Sequence, residues 1–173
     1  NCDGEIFADN AAWWKGSLWF GVGKEINNLA IARDVGGHEL THAVVEHSSN
    51  LFYADESGAL NESFADIFGT MIERENWDIG EKLFDDGDVL RSLRNPQVKG
   101  HPAHMKDFWY TTSDHGGVHI NSGIPNRAYY LLAEGLSAEG VGDSVGIEKA
   151  EKIAYETMIG LTPLSDFYDA ALL

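Results

Sequence analysis

The sequence predicts an α+β chain that is predominantly α-helical, with a short β segment at its N-terminal end. Three observations carry this. Residues 12–21 (Ala12-Trp13-Trp14-Lys15-Gly16-Ser17-Leu18-Trp19-Phe20-Gly21) mix aromatics and glycines as a short hairpin or edge strands do. From Leu29 to His47 the apolar spacing becomes helical. Later runs at 59–75, 125–135 and 146–159 keep that period.

Taken in order, the tryptophans of the hairpin are expected to pack against a neighbouring sheet. In the first helix Ile31, Val35, His38, His42 and Val45 fall on one stripe. Gly36 and Gly37 lie inside it at about 1 kcal/mol each relative to Ala, so something should approach that backbone closely. After a turn at Ser57-Gly58, a second helix runs from Ala59 to about Glu75 with Leu60, Phe64, Ile67, Phe68 and Met71 as its apolar face. Residues 76–100 read as loop. A third helix should start near Pro125 and reach about Gly135, since Pro suits a first helical turn. A fourth covers roughly Gly146 to Ile159 and stops before Pro163, and Ser165-Asp166 could cap a fifth, two-turn helix at the chain end.

Composition narrows the function. Of 173 residues 43% are hydrophobic, enough for a folded core, and the net charge is −16 with a pI near 4.6. Such a surface repels phosphate backbones and anionic headgroups, so no nucleic-acid partner is expected. No apolar run approaches the roughly 20 residues of a membrane helix, so a soluble chain with no membrane partner is expected. Cys2 has no second cysteine to pair with, and reads as a bystander or as the partner of a segment absent here. The chain begins at Asn1 without Met or leader, as a processed product or a piece of a longer chain would.

His38-Glu39-Leu40-Thr41-His42 is an H-E-x-x-H motif. Histidines four apart on a helix project from one face, so both can reach one zinc ion, with Glu39 beside them free to hold a water. In a pair of antiparallel helices, level residues have indices that add to a constant. His42 with Glu62 and His38 with Asp66 share one constant, so Glu62 arrives as a third metal ligand. Asp66 and Asn61 are then placed to accept the outer N–H of His38 and His42. The same register brings Asp34 near Glu73 at the far end of the pair, and Asn76, Asp78 and Glu81 follow at once. That concentration of oxygen ligands suits calcium. His47, His101, His104 and His115 read as non-ligands.

The sequence resembles the thermolysin-like family of zinc metallopeptidases. The matching segments are HELTH at 38–42, GALNESFADIFGT at 58–70, LRSLRNP at 90–96 and DHGGVHINSGI at 114–124, in the family's order. Zinc aminopeptidases place the third ligand one residue closer and lack the GGVHINSG segment, so they fit less well.

The resemblance implies one catalytic zinc on His38, His42 and Glu62, with Glu39 as the base acting on water. It makes His119 and Tyr53 oxyanion donors, Asp114 the group that orients His119, and Arg91 a ligand for the carbonyl on the leaving-group side. Asn10 and Ala11 would hold substrate backbone. Ile79, Leu83 and Leu90 would join Val35, one turn from His38, around a pocket for bulky apolar side chains on the amine side of the cut. The calcium set extends to Asp34, Glu73, Asn76, Asp78 and Glu81, as one ion or two. A neutral Asn76 and a shortened loop favour one.

The family's mature chains are usually close to twice this length. Residues 1–27 would be the incomplete end of a β-rich N-terminal lobe, and 28–173 the helical zinc-binding and catalytic lobe with its last helix incomplete. The implied protein is secreted, takes peptide or protein substrates, and has a missing N-terminal lobe or a propeptide as a further partner. A catalytically silent fragment used for binding or assembly, and a zinc aminopeptidase, are the alternative readings.

Overall fold

Helices dominate the architecture seen in a computed structural model, which describes residues 8–135 and 142–173; Cys2 lies outside the described residues. Strands β1 (Ala11–Trp14) and β2 (Ser17–Phe20) pair antiparallel, with Ala11 opposite Phe20 and Trp14 opposite Ser17. A left-handed Lys15-Gly16 turn joins them. Trp14 and Trp19 touch each other edge to face at 6.3 Å and remain half-exposed, while Trp13 is bonded to the first helix.

The predicted first helix is divided. A 3-10 turn covers Leu29–Ile31 with Asn28 as its cap, Ala32 is extended, and α1 then runs Arg33–Glu46. Ile31 therefore falls off the stripe and is 53% exposed, whereas Val35, His38 and Val45 are buried. Helix α2 (Asp55–Glu73) begins one turn earlier than expected. Ser57-Gly58 is not the turn, because the Ser57 hydroxyl donates to the carbonyls of Phe52 and Ala54 at 2.8 and 3.0 Å and stabilises the helix start. Gly58 is inside the helix because a Cβ there would stand 2.5 Å from Val118. At its other end α2 stops at Glu73, where Arg74 turns left-handed (φ 59°).

Residues 76–100 hold more order than a loop. Strands β3 (Asp78–Ile79) and β4 (Arg91–Ser92) pair antiparallel around 3-10 turns at Glu81–Leu83 and, beyond β4, Pro96–Lys99. Helix α3 (Asp114–Asn121) was not foreseen, since its first residues look like a turn: His115, Gly116 and Gly117 all have positive φ. The later helices are α4 (Gly123–Glu134), α5 (Ile147–Gly160) and α6 (Phe167–Leu172). The last is closed by a reciprocal capping box of Asp166 and Asp169. Leu60, Phe64, Ile67 and Met71 of α2 join Tyr129, Ala133, Ala154 and Met158 in the central cluster.

Helices α1 and α2 pack closely antiparallel. A Cβ on Gly69 would lie 2.6 Å from the Asp34 carbonyl, and one on Gly37 would lie 2.8 Å from Ile72. The expected close approach thus occurs at Gly37, while Gly36 has no neighbour nearer than Phe20 at 4.0 Å. Gly69→Ala should cost about 1–3 kcal/mol through overpacking despite better helix propensity. Gly36→Ala should be neutral or gain up to about 1 kcal/mol. Urea midpoints of the two variants check this contrast; equal midpoints would remove the packing argument.

Candidate metal centre and cleft

The register of α1 against α2 brings His38, His42 and Glu62 into one cluster whose ligand atoms lie within 4.8 Å of one another. Glu62 Oε2 is 3.5 Å from His38 Nε2, and Oε1 is 3.3 Å from His42 Nε2. The outer nitrogens are fixed as well. His38 Nδ1 lies 2.9 Å from Asp66 Oδ1, and His42 Nδ1 lies 2.8 Å from Asn61 Oδ1. The Asn61 amide donates from Nδ2 to the Leu51 carbonyl, so its Oδ1 must be the acceptor.

Both Nδ1 atoms therefore carry the proton, which leaves the two Nε2 lone pairs facing each other 3.0 Å apart. Two acceptors at that distance repel unless a cation or a shared proton lies between them. Glu62 adds to this: it is fully buried, and its Oε2 has no hydrogen-bond donor. The donor set, two imidazoles and a carboxylate, fits a tetrahedral zinc with one open position. Without a cation between the rings, burial opposes charge on His42 but the hydrogen bond and charge of Glu62 outweigh it and raise the imidazole to about 9, so that a proton takes the place a metal would hold at Nε2. Burial likewise opposes charge on Glu62, yet His38, His42 and His119 hold its carboxyl well below the usual range.

Asp66 anchors the centre from behind. Its carboxylate accepts Arg91 Nε at 3.0 and 2.8 Å, Arg91 Nη2 at 2.8 Å and Asn126 Nδ2 at 2.8 Å. Asn126 is in turn fixed by the Ser63 hydroxyl at 2.7 Å. Although burial opposes it, the charges of Arg91 and His38 keep Asp66 far below the ordinary carboxylate range. Arg91 Nη1 makes no hydrogen bond within the described residues, so this guanidinium can serve Asp66 and still offer donors forward.

From the other side, the Tyr53 hydroxyl donates to Glu62 Oε1 and lies 3.2 Å from His119 Nε2. His119 Nδ1 is 2.6 Å from Asp114 Oδ1, and Asp114 Oδ2 accepts the His119 backbone N–H at 3.0 Å. Burial and the charge of Glu62 push the Tyr53 hydroxyl far up, so it remains a donor.

These groups line a cleft of about 590 Å³. One wall is β1 and its lead-in, including Asn10, Ala11 and Trp13; the floor is α1. Glu39 projects into the cleft with Oε2 accepting the Trp13 backbone N–H at 2.8 Å. At the Arg33 end, Val35, Ile79 and Leu90 form an apolar wall. Leu83 does not line it. It is 1% exposed in the core behind Gly80, and Leu29 and Ile26 take its place. Sequence reasoning also missed Asn126 and the Trp13 amide. A buried asparagine beside Pro125 left a faint signal; a backbone N–H left none.

At the far end of the helix pair Asp34, Glu73 and Glu81 form a second carboxylate cluster. Asp34 Oδ2 accepts the Gly80 N–H, while buried Asp34 Oδ1 and Glu81 Oε2 have no partner. Burial lifts Asp34 to about 6 against the hydrogen bonds of Gly80 and Val35, and the charges of Glu73 and Glu81 add to the rise. Asp78 is not among the carboxylates of this cluster. Asn76 turns its NH2 to Glu81 Oε1 at 2.9 Å and its oxygen to the Asp78 N–H at 2.6 Å. Lys82 Nζ instead bonds Glu73 and reaches Glu75 at 3.1 Å.

Comparison with known proteins finds related chains. The family model described as thermolysin metallopeptidase, alpha-helical domain, matches residues 49–172, and that described as the catalytic domain matches residues 5–46. An extracellular elastase of Staphylococcus epidermidis is 43% identical over 98% of this chain and 33% of its own. Neutral protease B of Bacillus subtilis is 43% identical over 84% of this chain and 29% of its own. The solved precursor of protealysin, a metalloproteinase from Serratia proteamaculans, superposes with a TM-score of 0.79 at 37% identity, over 94% of this chain and 56% of that one. The chain thus spans about a third of the length of these curated relatives.

Removing Asp66 should strand the buried Arg91 charge. Asp66→Ala is expected to destabilise the fold by about 3–5 kcal/mol, measured by chemical unfolding. A loss below about 1 kcal/mol would reduce the Asp66–Arg91 pair to the level of an exposed salt bridge.

Proposed function

The chain belongs to the thermolysin metallopeptidase family, and from that premise we propose that it carries the catalytic centre of a secreted zinc endopeptidase. The observation that carries the reading is the opposed pair of imidazole Nε2 atoms beside the orphaned Glu62 oxygen, with Glu39 at the same opening. Zinc held by His38, His42 and Glu62 would supply a Lewis acid for the peptide carbonyl and lower the pKa of water.

The remaining work belongs to side chains of this protein. Glu39 takes the proton of the attacking water at the oxygen not engaged by Trp13, and passes it to the leaving amine. Tyr53 and His119 donate to the developing oxyanion, and Asp114 holds the His119 ring by its Nδ1. Substrate backbone lies along β1 at Asn10 and Ala11, since among the described residues β1 pairs with β2 on one edge alone. Arg91 Nη1 receives the carbonyl on the leaving-group side. Val35, Ile79 and Leu90 take a bulky apolar side chain on the amine side of the cut. Support for a secreted protein comes from a relative named an extracellular elastase, and no helix among the described residues is long and apolar enough to cross a membrane.

One calcium ion fits the second cluster, where Asp34 Oδ1 and Glu81 Oε2 lack partners and Glu73 stands beside them. The tethered ammonium of Lys82 already answers part of the charge of Glu73 and Glu75, which argues against a second ion.

Glu39→Gln should retain one zinc per chain by elemental analysis while kcat on an internally quenched peptide falls about 10²–10⁴-fold. Near wild-type kcat would remove Glu39 from the role of base. Calcium at a hundredfold excess over Kd should add about 2.7 kcal/mol to unfolding stability with zinc saturated. Asp34 titrates at about 6, and its proton competes with the ion. Above that pH the carboxylate is free and the calcium increment in Tm is full; as pH falls through about 6 the increment should shrink. An increment that is absent, or equal at pH 5 and pH 8 (about one unit below and two above), contradicts the site.

A further inference from the structure

The cleft floor is one face of α1, which presents Val35, His38, Glu39, His42 and Glu46 in succession. Its two ends differ. Beside Val35 the walls are apolar and Arg91 stands among them; beyond His42 the lining is Glu46, Asn50, Leu51 and Trp13. Glu46 Oε2 accepts the Trp13 indole N–H at 2.5 Å, so its carboxylate is held at the cleft margin.

The charges along the lining do not balance. Asp9 Oδ1 accepts the backbone N–H groups of Lys24, Glu25 and Ile26, which ties this carboxylate to the loop after β2. Glu39 and Glu62 belong to the chemistry. Arg91 is the only Lys or Arg among the described lining residues, and it is paired with Asp66. At the His42 end the carboxylate is that of Glu46, held by the neutral Trp13 indole and with no cation on it among the described residues.

We infer that Glu46 determines specificity, selecting Lys or Arg at the second residue before the scissile bond. This rests on the endopeptidase reading. If the apolar pocket takes the side chain just after the cut, the Glu46 end receives residues before it. Along an extended peptide alternate side chains share a face, so the residue two positions earlier points back toward α1 with the one in the pocket. Glu46 lies about 9 Å along the helix from the level midway between His38 and His42. The second residue's Cα sits about 5 Å from the cut at about 3.3 Å per residue. A long basic side chain spans the remaining few ångströms to a carboxylate that the Trp13 indole holds in place. An acidic side chain there meets like charge.

The test uses zinc-loaded protein and internally quenched peptides that differ only by Lys, Gln or Glu at that position. At low ionic strength kcat/KM should favour Lys over Glu by about three- to tenfold, and the ratio should collapse in about 0.5 M salt, as for an exposed pair. Glu46→Gln, whose amide oxygen can still accept the indole N–H, should flatten the ratio, and Glu46→Lys should invert it. A ratio that Glu46→Lys leaves unchanged overturns the inference while the endopeptidase reading stands. Equilibrium binding of the same peptides to Glu39→Gln, followed by tryptophan fluorescence, separates the two claims. If no peptide is cut but binding still prefers Lys in a Glu46-dependent way, the endopeptidase reading falls and charge selection by Glu46 survives. Binding without that preference overturns it.

Discussion

Gly69 sits against the Asp34 carbonyl so closely that a Cβ would stand 2.6 Å from the oxygen, and this contact sets how α2 lies along α1. Once the two helices touch there, their levels are fixed for the whole length of the pair. His38 comes opposite Asp66, His42 opposite Asn61 and Glu62, and at the other end Asp34 meets Glu73. A slip of one residue on either helix would rotate each of these groups by about 100° off its partner. The two candidate cation sites are therefore consequences of one packing register. A cation at either end reinforces the same register that the other needs.

Burying so many charges is tolerable because nearly all are answered. Asp66 receives Arg91, Asn126 and the His38 ring, and Asn61 receives the His42 ring. Among the described residues, the buried carboxylate oxygens left unanswered fall at two places, Glu62 Oε2 with the facing imidazole nitrogens and Asp34 Oδ1 with Glu81 Oε2; the one other buried atom without a partner is the neutral Ser49 hydroxyl. Unpaired buried acceptors cost free energy wherever they occur. The unpaired carboxylate oxygens at these two points are each rimmed by further side chains of metal-ligating type, which is what makes them candidate cation sites.

How much of this was legible in the sequence follows from the range of each interaction. The spacing of His38, Glu39 and His42 is local, and Glu62, Asp66 and Asn61 follow from helix period plus one assumption, an antiparallel return. That assumption held although the turn lies before Asp55 rather than at Ser57-Gly58, because level pairing depends on helix register and not on where the turn begins. Tyr53, His119 and Arg91 lie outside any common period with the motif, so only family resemblance reached them. Leu83 was misplaced because an apolar residue in a short 3-10 turn can face core or cleft with equal sense in sequence. Asp78 falls outside the carboxylate cluster because proximity in a loop does not say which side chains converge.

The hairpin is the element that local physics supports least and the cleft depends on most. Two four-residue strands, with Trp14, Leu18 and Trp19 half-exposed, are marginal by themselves. Their position comes from attachments to other elements. Asp9 gathers three backbone N–H groups of the following loop, Ala11 is buried in the core, and the Trp13 backbone and indole N–H groups bond Glu39 and Glu46. Because Glu39 and Glu46 both belong to α1, one residue ties the strand to two levels, about two turns apart, of the helix that carries both histidines. The edge that can receive a peptide backbone and the helix that can hold the metal then keep a constant separation. On the proposed reading, a bound chain would meet the Glu39 carboxylate at a distance set by the fold rather than by the substrate.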